Sequence, residues 1–173
     1  MLFNLDKWRP KIQEYITKHL VNQKDKTILD VGFGDSTGVA LGLGLNVHAM
    51  DKNTFGKALP ECVKYIESIL DPDIDKKVPQ YDIVMACEML EHCEDLKLAS
   101  QNIMKLVKPG GFALITMPCY LPWHPGGDYY GDYYRVMPTG LVKLFTPHRV
   151  IETIYHSELK DMPYGIGAIV YKK

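Results

Sequence analysis

The sequence predicts an α/β domain: a seven-stranded, mainly parallel sheet with an antiparallel last strand and helices on both faces. Three observations carry this expectation. Short apolar runs alternate with stretches of helical periodicity, the pattern of repeated strand–helix–strand units. A glycine cluster, Gly32, Gly34 and Gly38, follows the first apolar run directly. The last two apolar runs, near 148–157 and 165–172, are separated only by "ELKDMPYG", too short for a crossover helix, so they should pair as a hairpin. The 173 residues suit a single domain, 1–173, with a sizeable core.

Residues 6–22 predict an N-terminal helix within segment 1–24. Trp8, Ile12, Tyr15, Ile16 and Leu20 recur at helical spacing, and Pro10 fits the first turn. "TILDV" is the first strand. Residues 36–44 form a short helix weakened by glycine, which Ser36 or Thr37 would cap. "NVHAMD" is the second strand, ending at Asp51, and 55–61 a helix. The run 63–70, "VKYIESIL", has ambiguous periodicity; its position makes it the third strand. "YDIVMAC" is the fourth, apolar enough to be buried on both faces. Residues 94–107 form an amphipathic helix, with Leu96, Ala99, Ile103, Leu106 and Val107 on one face. "KPGG" is a turn and "FALITMP" the fifth strand. A loop rich in aromatics and glycines, 118–137, precedes a short helix at 138–145 and the hairpin. Ligands of such a sheet belong at the carboxyl ends of the strands.

Composition excludes several classes. A net charge of −1 gives no basic surplus for nucleic acid or an anionic membrane. No run of about 18 apolar residues occurs, so no membrane span is expected. The start, "MLFNLDKWRPKI", lacks the apolar core of a signal peptide, and the expectation is a cytoplasmic protein. Cys62, Cys87, Cys93 and Cys119 form no CxxC pair; they read as free thiols in a reducing compartment, and a zinc site is not expected.

The glycine loop asks what lies on its backbone. Gly32 and Gly34 lack side chains, and the helix that follows offers unpaired N–H groups. A dinucleotide fold uses such a loop for pyrophosphate, with an acid about 20 residues on for the ribose. Asp51 meets that spacing, 21 residues after Asp30. By itself this pattern is equally open to a nicotinamide cofactor. Asp30, at the end of the first strand, tips the balance. A carboxylate aimed at a pyrophosphate would repel it, whereas one facing an ammonium group would suit it. Asp30 could instead only brace a turn.

At this point the chain resembles the class I S-adenosylmethionine-dependent methyltransferases, with their Rossmann-like fold. "ILDVGFGDS" looks like their first motif and "VHAMD" like their second. "YDIVMACEMLEH" resembles the fourth-strand motif, and "LVKPGGFALITMP" the Pro-Gly-Gly turn and fifth strand. The likeness covers about residues 25–172. It implies S-adenosylmethionine as cofactor, with Asp30, Gly32, Gly34, Asp51, Lys52, Cys87 and Glu88 around it. This sequence departs at the third glycine, replaced by Ser36, and at the third-strand acid. There Ser68 and Ile69 take the adenine edge by position, with Asp71 as competitor.

Two places offer chemistry toward an acceptor. In "CEMLEHC", one helical turn would put Glu88, Glu91 and His92 on one face. Glu-x-x-Glu-His resembles a metal-binding motif of ubiquinone-pathway and small-RNA 3′-end methyltransferases. There a divalent ion would lower the pKa of an acceptor hydroxyl, with His124 completing the set. The expectation is nevertheless no metal, since "LEH" also occurs where none is held. The second place is "CYLPWHPGGDYYGDYYR", which carries Tyr120, Trp123, His124, Asp128, four further tyrosines and Arg135. Most such rings simply pack a loop. A ring-rich wall with Asp and Arg also suits a sugar or another flat polar molecule. Arg135 would pair with Asp128 or Asp132 to brace the loop. "DYYRVMPTGLVKLF" resembles a segment of small methyltransferases of surface-glycan and related pathways. His124 is the first candidate for a general base, with His92 and Glu91 beside it.

The resulting expectation is methyl transfer to a small-molecule or glycan-like acceptor, at a hydroxyl. The acceptor site would be shallow or covered by a second subunit in a homodimer. The competing readings are a nicotinamide-dependent oxidoreductase, which would lack the Tyr-x-x-x-Lys pair, and a degenerate methyltransferase fold that binds a partner protein.

Overall fold

The structure is a computed structural model that describes residues 5–53, 58–124, 130–156 and 163–173. Seven strands form one sheet in the order β3-β2-β1-β4-β5-β7-β6. They are β1 (Thr27–Val31), β2 (Asn46–Asp51), β3 (Val63–Ile66), β4 (Tyr81–Cys87), β5 (Val107–Pro118), β6 (Arg149–His156) and β7 (Gly165–Tyr171). β1 lies parallel between β2 and β4, and β4 parallel to β5. β7 runs antiparallel to both β5 and β6, as the short "ELKDMPYG" connection requires. Chain order reverses between β1 and β4, which opens a crevice at their carboxyl ends.

The helices are α1 (Leu5–Leu20), α2 (Asp35–Gly42), α3 (Ile74–Lys77), α4 (Leu96–Leu106) and α5 (Pro138–Leu144). Alternation along the strands divides the core into two. Ile28, Ile83, Met85 and Leu114 face α1, against Trp8, Ile16 and Leu20. Leu29, Val31, Val84 and Ala86 face the other layer, against Ile103, Leu106 and Phe145. Trp8 is fully buried and occupies the space that a Cβ on Gly165 would need, its ring atoms 2.4 Å from that position. The β7 glycine thus lets α1 lie close to the sheet.

Three local expectations are corrected. α2 begins at Asp35 with Gly34 as its cap, because the Ser36 and Thr37 hydroxyls turn back to Asp30. Of the helix expected at 55–61, residues 55–57 lie outside the described residues, and 58–61 are not helical. Pro60 blocks a helix there. The "KPGG" turn lies inside β5, as an irregularity where Gly110 takes φ +77°. The short helix α3 was not expected.

Candidate active site

A cavity of about 420 Å³ opens at the carboxyl ends of β1, β2 and β4. Its floor is the glycine loop. Gly32 takes φ +87° and donates its N–H to Met50 O at 2.9 Å, which ties the loop to β2. A Cβ there would stand 2.7 Å from Met89 Cγ, so glycine is required on two counts. Gly34, Lys52, Ser68, Ile69 and Cys87 also line the cavity, as the sequence suggested. So does Asp51, which is half-buried and accepts the Asn53 N–H at 3.0 Å. Burial pushes its pKa up. Asp71 is not among the lining residues; it pairs with Lys77 and accepts the Asp73 N–H.

Asp30 is placed differently from the expectation. It does not line the cavity. Its side chain is fully buried and Oδ2 accepts from Ser36 Oγ and Thr37 Oγ1, each at 2.6 Å, while Oδ1 has no partner. The carboxylate therefore knots the glycine loop to the start of α2. Burial raises its pKa to about 7 despite the two hydroxyl donors.

Several contributors had no local signal. Arg9, Ile12, Gln13 and Ile16 of α1 line the same cavity. Asn102, buried in α4, donates to Ile69 O at 2.7 Å and Asp71 O at 2.8 Å, and so holds the segment carrying Ser68 and Ile69. An asparagine on the apolar face of a predicted helix is the one sequence sign of that role.

Glu88, the residue after β4, takes the left-handed region at φ +50°, alone among described non-glycine residues. Its N–H reaches Thr116 O at 3.1 Å, which pins it to β5. Its side chain lines the cavity, with Oε1 unpartnered, and burial raises its pKa. Backbone strain of this kind gathers at functional sites.

A single 3₁₀ turn, Leu90–His92, then delivers Glu91 and His92. Glu91 is fully buried, and neither carboxylate oxygen has a hydrogen-bond partner. Burial drives its pKa well up, with the Glu88 charge adding to the effect. His92 Nε2 stands 3.7 Å from Glu91 Oε1, and His124 Nε2 3.9 Å from the same atom. The two imidazoles meet edge to face at 5.3 Å. His92 donates Nδ1–H to Gly131 O at 2.6 Å and packs against Tyr130 at 4.4 Å; both side chains line the cavity. Burial lowers the His92 pKa, which favours its neutral form.

Of the metal alternative, Glu88, Glu91 and His92, the structure keeps two members. Donor atoms of Glu91, His92 and His124 lie within 4.8 Å of one another, and Glu88 is not part of that group. Glu91, expected as a catalytic group, is fully buried and backs the two imidazoles. Arg135 pairs with Asp132, clamping the loop. Asp128 lies outside the described residues. Trp123, next to His124 in the chain, is 75% exposed. The four cysteines are unpaired.

Known proteins share this architecture. The methyltransferase domain family matches residues 4–152. A ubiquinone biosynthesis O-methyltransferase of Rickettsia bellii is 34% identical over 177 residues, covering 90% of this chain and 72% of that protein. One of Rickettsia felis is 32% identical, covering 61% of this chain and 46% of that protein. Among solved structures, a Burkholderia thailandensis 1,6-didemethyltoxoflavin-N1-methyltransferase with bound S-adenosylhomocysteine superposes with TM-score 0.68. It is 16% identical and covers 94% of this chain and 77% of its own. The chain belongs to the class I S-adenosylmethionine-dependent methyltransferases, and the oxidoreductase and non-enzymatic readings give way to that.

Proposed function

We propose that residues 1–173 form one methyltransferase domain that binds S-adenosylmethionine in the 420 Å³ cavity and methylates a hydroxyl of a small-molecule acceptor. The observation that carries this reading is the pair of imidazoles over a buried carboxyl, with His92 lining the cavity and His124 packed edge to face against it. A hydroxyl acceptor must lose a proton, and an amine in its neutral form need not. The O-methyltransferase name of the Rickettsia bellii relative points the same way. A glycan-like acceptor remains within this reading, since Tyr130 offers a ring against His92 and Trp123 an exposed one next to His124 in the chain.

The cavity fits the cofactor. Gly32 and Gly34 would leave room for its amino-acid arm against the backbone, and Asp51 with Lys52 would hold the ribose. Ser68 and Ile69 would border the base, and Cys87 and Glu88 would flank the reacting end; all of these line the cavity. When bound, the cofactor supplies a methyl group activated on a sulfonium. The protein holds the acceptor oxygen in line with that carbon, and alignment alone is worth up to about 7–11 kcal/mol. His124, with His92 beside it, would take the hydroxyl proton on Nε2 as the acceptor oxygen gains the methyl group, and the donor would be left as a neutral thioether. Among described residues no helix is long and apolar enough to cross a membrane. A second copy of the chain covering the acceptor side belongs to the same proposal; sedimentation at micromolar concentration reads it.

A second reading is favoured by the orphaned Glu91. Two buried acceptor oxygens face an imidazole nitrogen that carries no hydrogen, an arrangement that suits a divalent cation held by Glu91, His92 and His124. Such an ion would lower the pKa of the acceptor hydroxyl.

Calorimetric titration with S-adenosylmethionine, before and after EDTA and beside an NAD titration, tests the cofactor. Binding of the first alone supports the proposal, and binding of neither would defeat it. Labelled methyl transfer to phenols and catechols, but not to anilines, tests the acceptor class. Transfer that disappears with EDTA and returns with a divalent ion selects the second reading.

A further inference from the structure

The 118–137 loop carries a clamp that the reaction as described above leaves without a task. Arg135 uses every donor of its guanidinium. Nη1 donates to Asp132 Oδ1 and to Tyr134 O at 2.8 Å. Nη2 donates to Asp132 Oδ2 at 2.6 Å and to Pro122 O at 2.8 Å, and Nε to Leu121 O at 2.9 Å. This two-pronged pair holds the Asp132 carboxylate charged; its pKa falls to about 2, chiefly through Arg135. Asp132 Oδ2 in turn accepts the His124 backbone N–H at 2.7 Å and stands 3.4 Å from His124 Nδ1. Arg135 thus fastens 121–122 to 132–135, and Asp132 fixes His124 between them.

The surroundings of Nδ1 decide where a neutral His124 keeps its proton. Nδ1 has Pro122 O at 3.0 Å, Asp132 Oδ2 at 3.4 Å and Arg135 Nη2 at 3.2 Å. The Nη2 protons bind more closely to Asp132 Oδ2 at 2.6 Å and Pro122 O at 2.8 Å than to Nδ1, so the Nη2 contact is the weaker claim on that nitrogen. Two oxygen acceptors therefore face Nδ1, and one of them is charged. Nε2 points the other way, to Glu91 Oε1.

We propose that Asp132, locked by Arg135, is a positioning residue that holds His124 in its Nδ1–H tautomer and turns the Nε2 lone pair toward the Glu91–His92 cluster. The proposal rests on His124 acting through Nε2, as base or as ligand, and it holds for both readings. The side chain opposite a working imidazole nitrogen commonly sets its tautomer in this way.

The test uses the full chain with 15N-labelled histidine, treated with EDTA, at a pH where the imidazoles are neutral. Long-range proton–nitrogen spectra separate a nitrogen bearing hydrogen from one bearing a lone pair, and His124→Ala assigns the resonances. In the wild-type protein His124 should show hydrogen on Nδ1 and the lone pair on Nε2. In D132N the two signatures should exchange or average, because an amide can donate toward Nδ1. R135K keeps a charge but loses the fork, and should give a mixture of both tautomers. S-adenosylmethionine affinity should stay within about twofold in both variants, since neither residue lines the cavity. Hydrogen on Nε2 in the wild-type protein overturns the proposal. So does an unchanged His124 spectrum in a folded D132N, or in R135K should D132N not fold. Loss of cofactor binding in the wild-type protein would instead strike the methyltransferase reading and leave the tautomer result standing.

Discussion

The two halves of the site are built differently. The half around β1 and β2 is backbone architecture: Gly32 at φ +87°, the start of α2, and the β2 end at Asp51, all within 25 residues. The half beyond β4 is side-chain architecture. Glu91 and His92 come from one turn, His124 from a loop over 30 residues on, and Asp132 with Arg135 from the return of that loop. Loss of one side chain should therefore damage the second half more than the first, where peptide groups do much of the holding. Acceptor chemistry varies by changing such a loop, while the cofactor floor stays fixed by the sheet.

The largest effect expected from this contrast is on His124. In His124→Ala, turnover on a hydroxyl acceptor should fall by about 10²–10⁴-fold, with S-adenosylmethionine affinity unchanged by calorimetry. A comparable fall in cofactor affinity would erase the distinction between the halves.

Asp30 tests the first half through stability. In the folded chain its pKa lies at about 7 against 3.8 when free. An acid with a raised pKa contributes most to stability below its unfolded value, and that contribution is lost as pH rises toward the folded value. Between pH 4 and 7 the cost of ionising Asp30 in place grows to on the order of 4 kcal/mol. Asp30→Asn keeps an oxygen for the Ser36 and Thr37 hydroxyls and removes the charge. It should flatten the pH dependence of the denaturation midpoint over that window and raise the midpoint at pH 8. Parallel curves for variant and wild type would mean that the loop is braced by something else.

The first half was also the more legible in sequence. "TILDVGFG" and "NVHAMD" carry their geometry in adjacent residues, because strand, turn and helix start are local events. The seven strands were readable for the same reason. What local pattern missed was orientation. Asp30 was read as facing a ligand, yet the pleat and the two hydroxyls that follow at Ser36 and Thr37 take it into the core. On the acceptor side the meeting of His124 with Glu91 and His92 was expected from the residue types, and the place of Glu88 was not. Glu88 stood four residues from His92, the spacing of a helix face, but Cys87 ends a strand and only Leu90–His92 form a turn. His124 takes the place beside Glu91 and His92 by tertiary approach alone. Nothing near Arg9 or Gln13 announced that α1 would wall the cavity, and only an asparagine on an apolar helix face, Asn102, hinted that α4 would hold the Ser68 segment.

Asp51 gives a smaller effect and sharpens the same contrast. Asp51→Ala removes a half-buried carboxylate from the cavity wall. Cofactor affinity should weaken by about 1.5–3 kcal/mol, the range for a hydrogen bond to a charged group. The helix and glycine backbone should retain measurable binding. Complete loss would show that this half, too, depends on one side chain.

The smallest effect concerns neither half directly and fixes the scale for the others. Asp95 caps α4, its Oδ1 accepting the Leu98 N–H at 2.9 Å. The capped helix buries Ile103 and Leu106 against the sheet and carries Asn102 to the Ser68 segment. Asp95→Ala removes the cap and leaves the packed face intact, so stability should fall by about 1 kcal/mol. If α4 supports the adenine-side wall only by staying folded, cofactor affinity should not change with this loss, because the remaining helix still presents Asn102. Asn102→Ala should then weaken cofactor binding more than its effect on the denaturation midpoint accounts for. If the two variants instead lower affinity in proportion to stability, the wall is set by the general firmness of the domain. The two amide hydrogen bonds to Ile69 and Asp71 would then have no separate part in shaping the cavity.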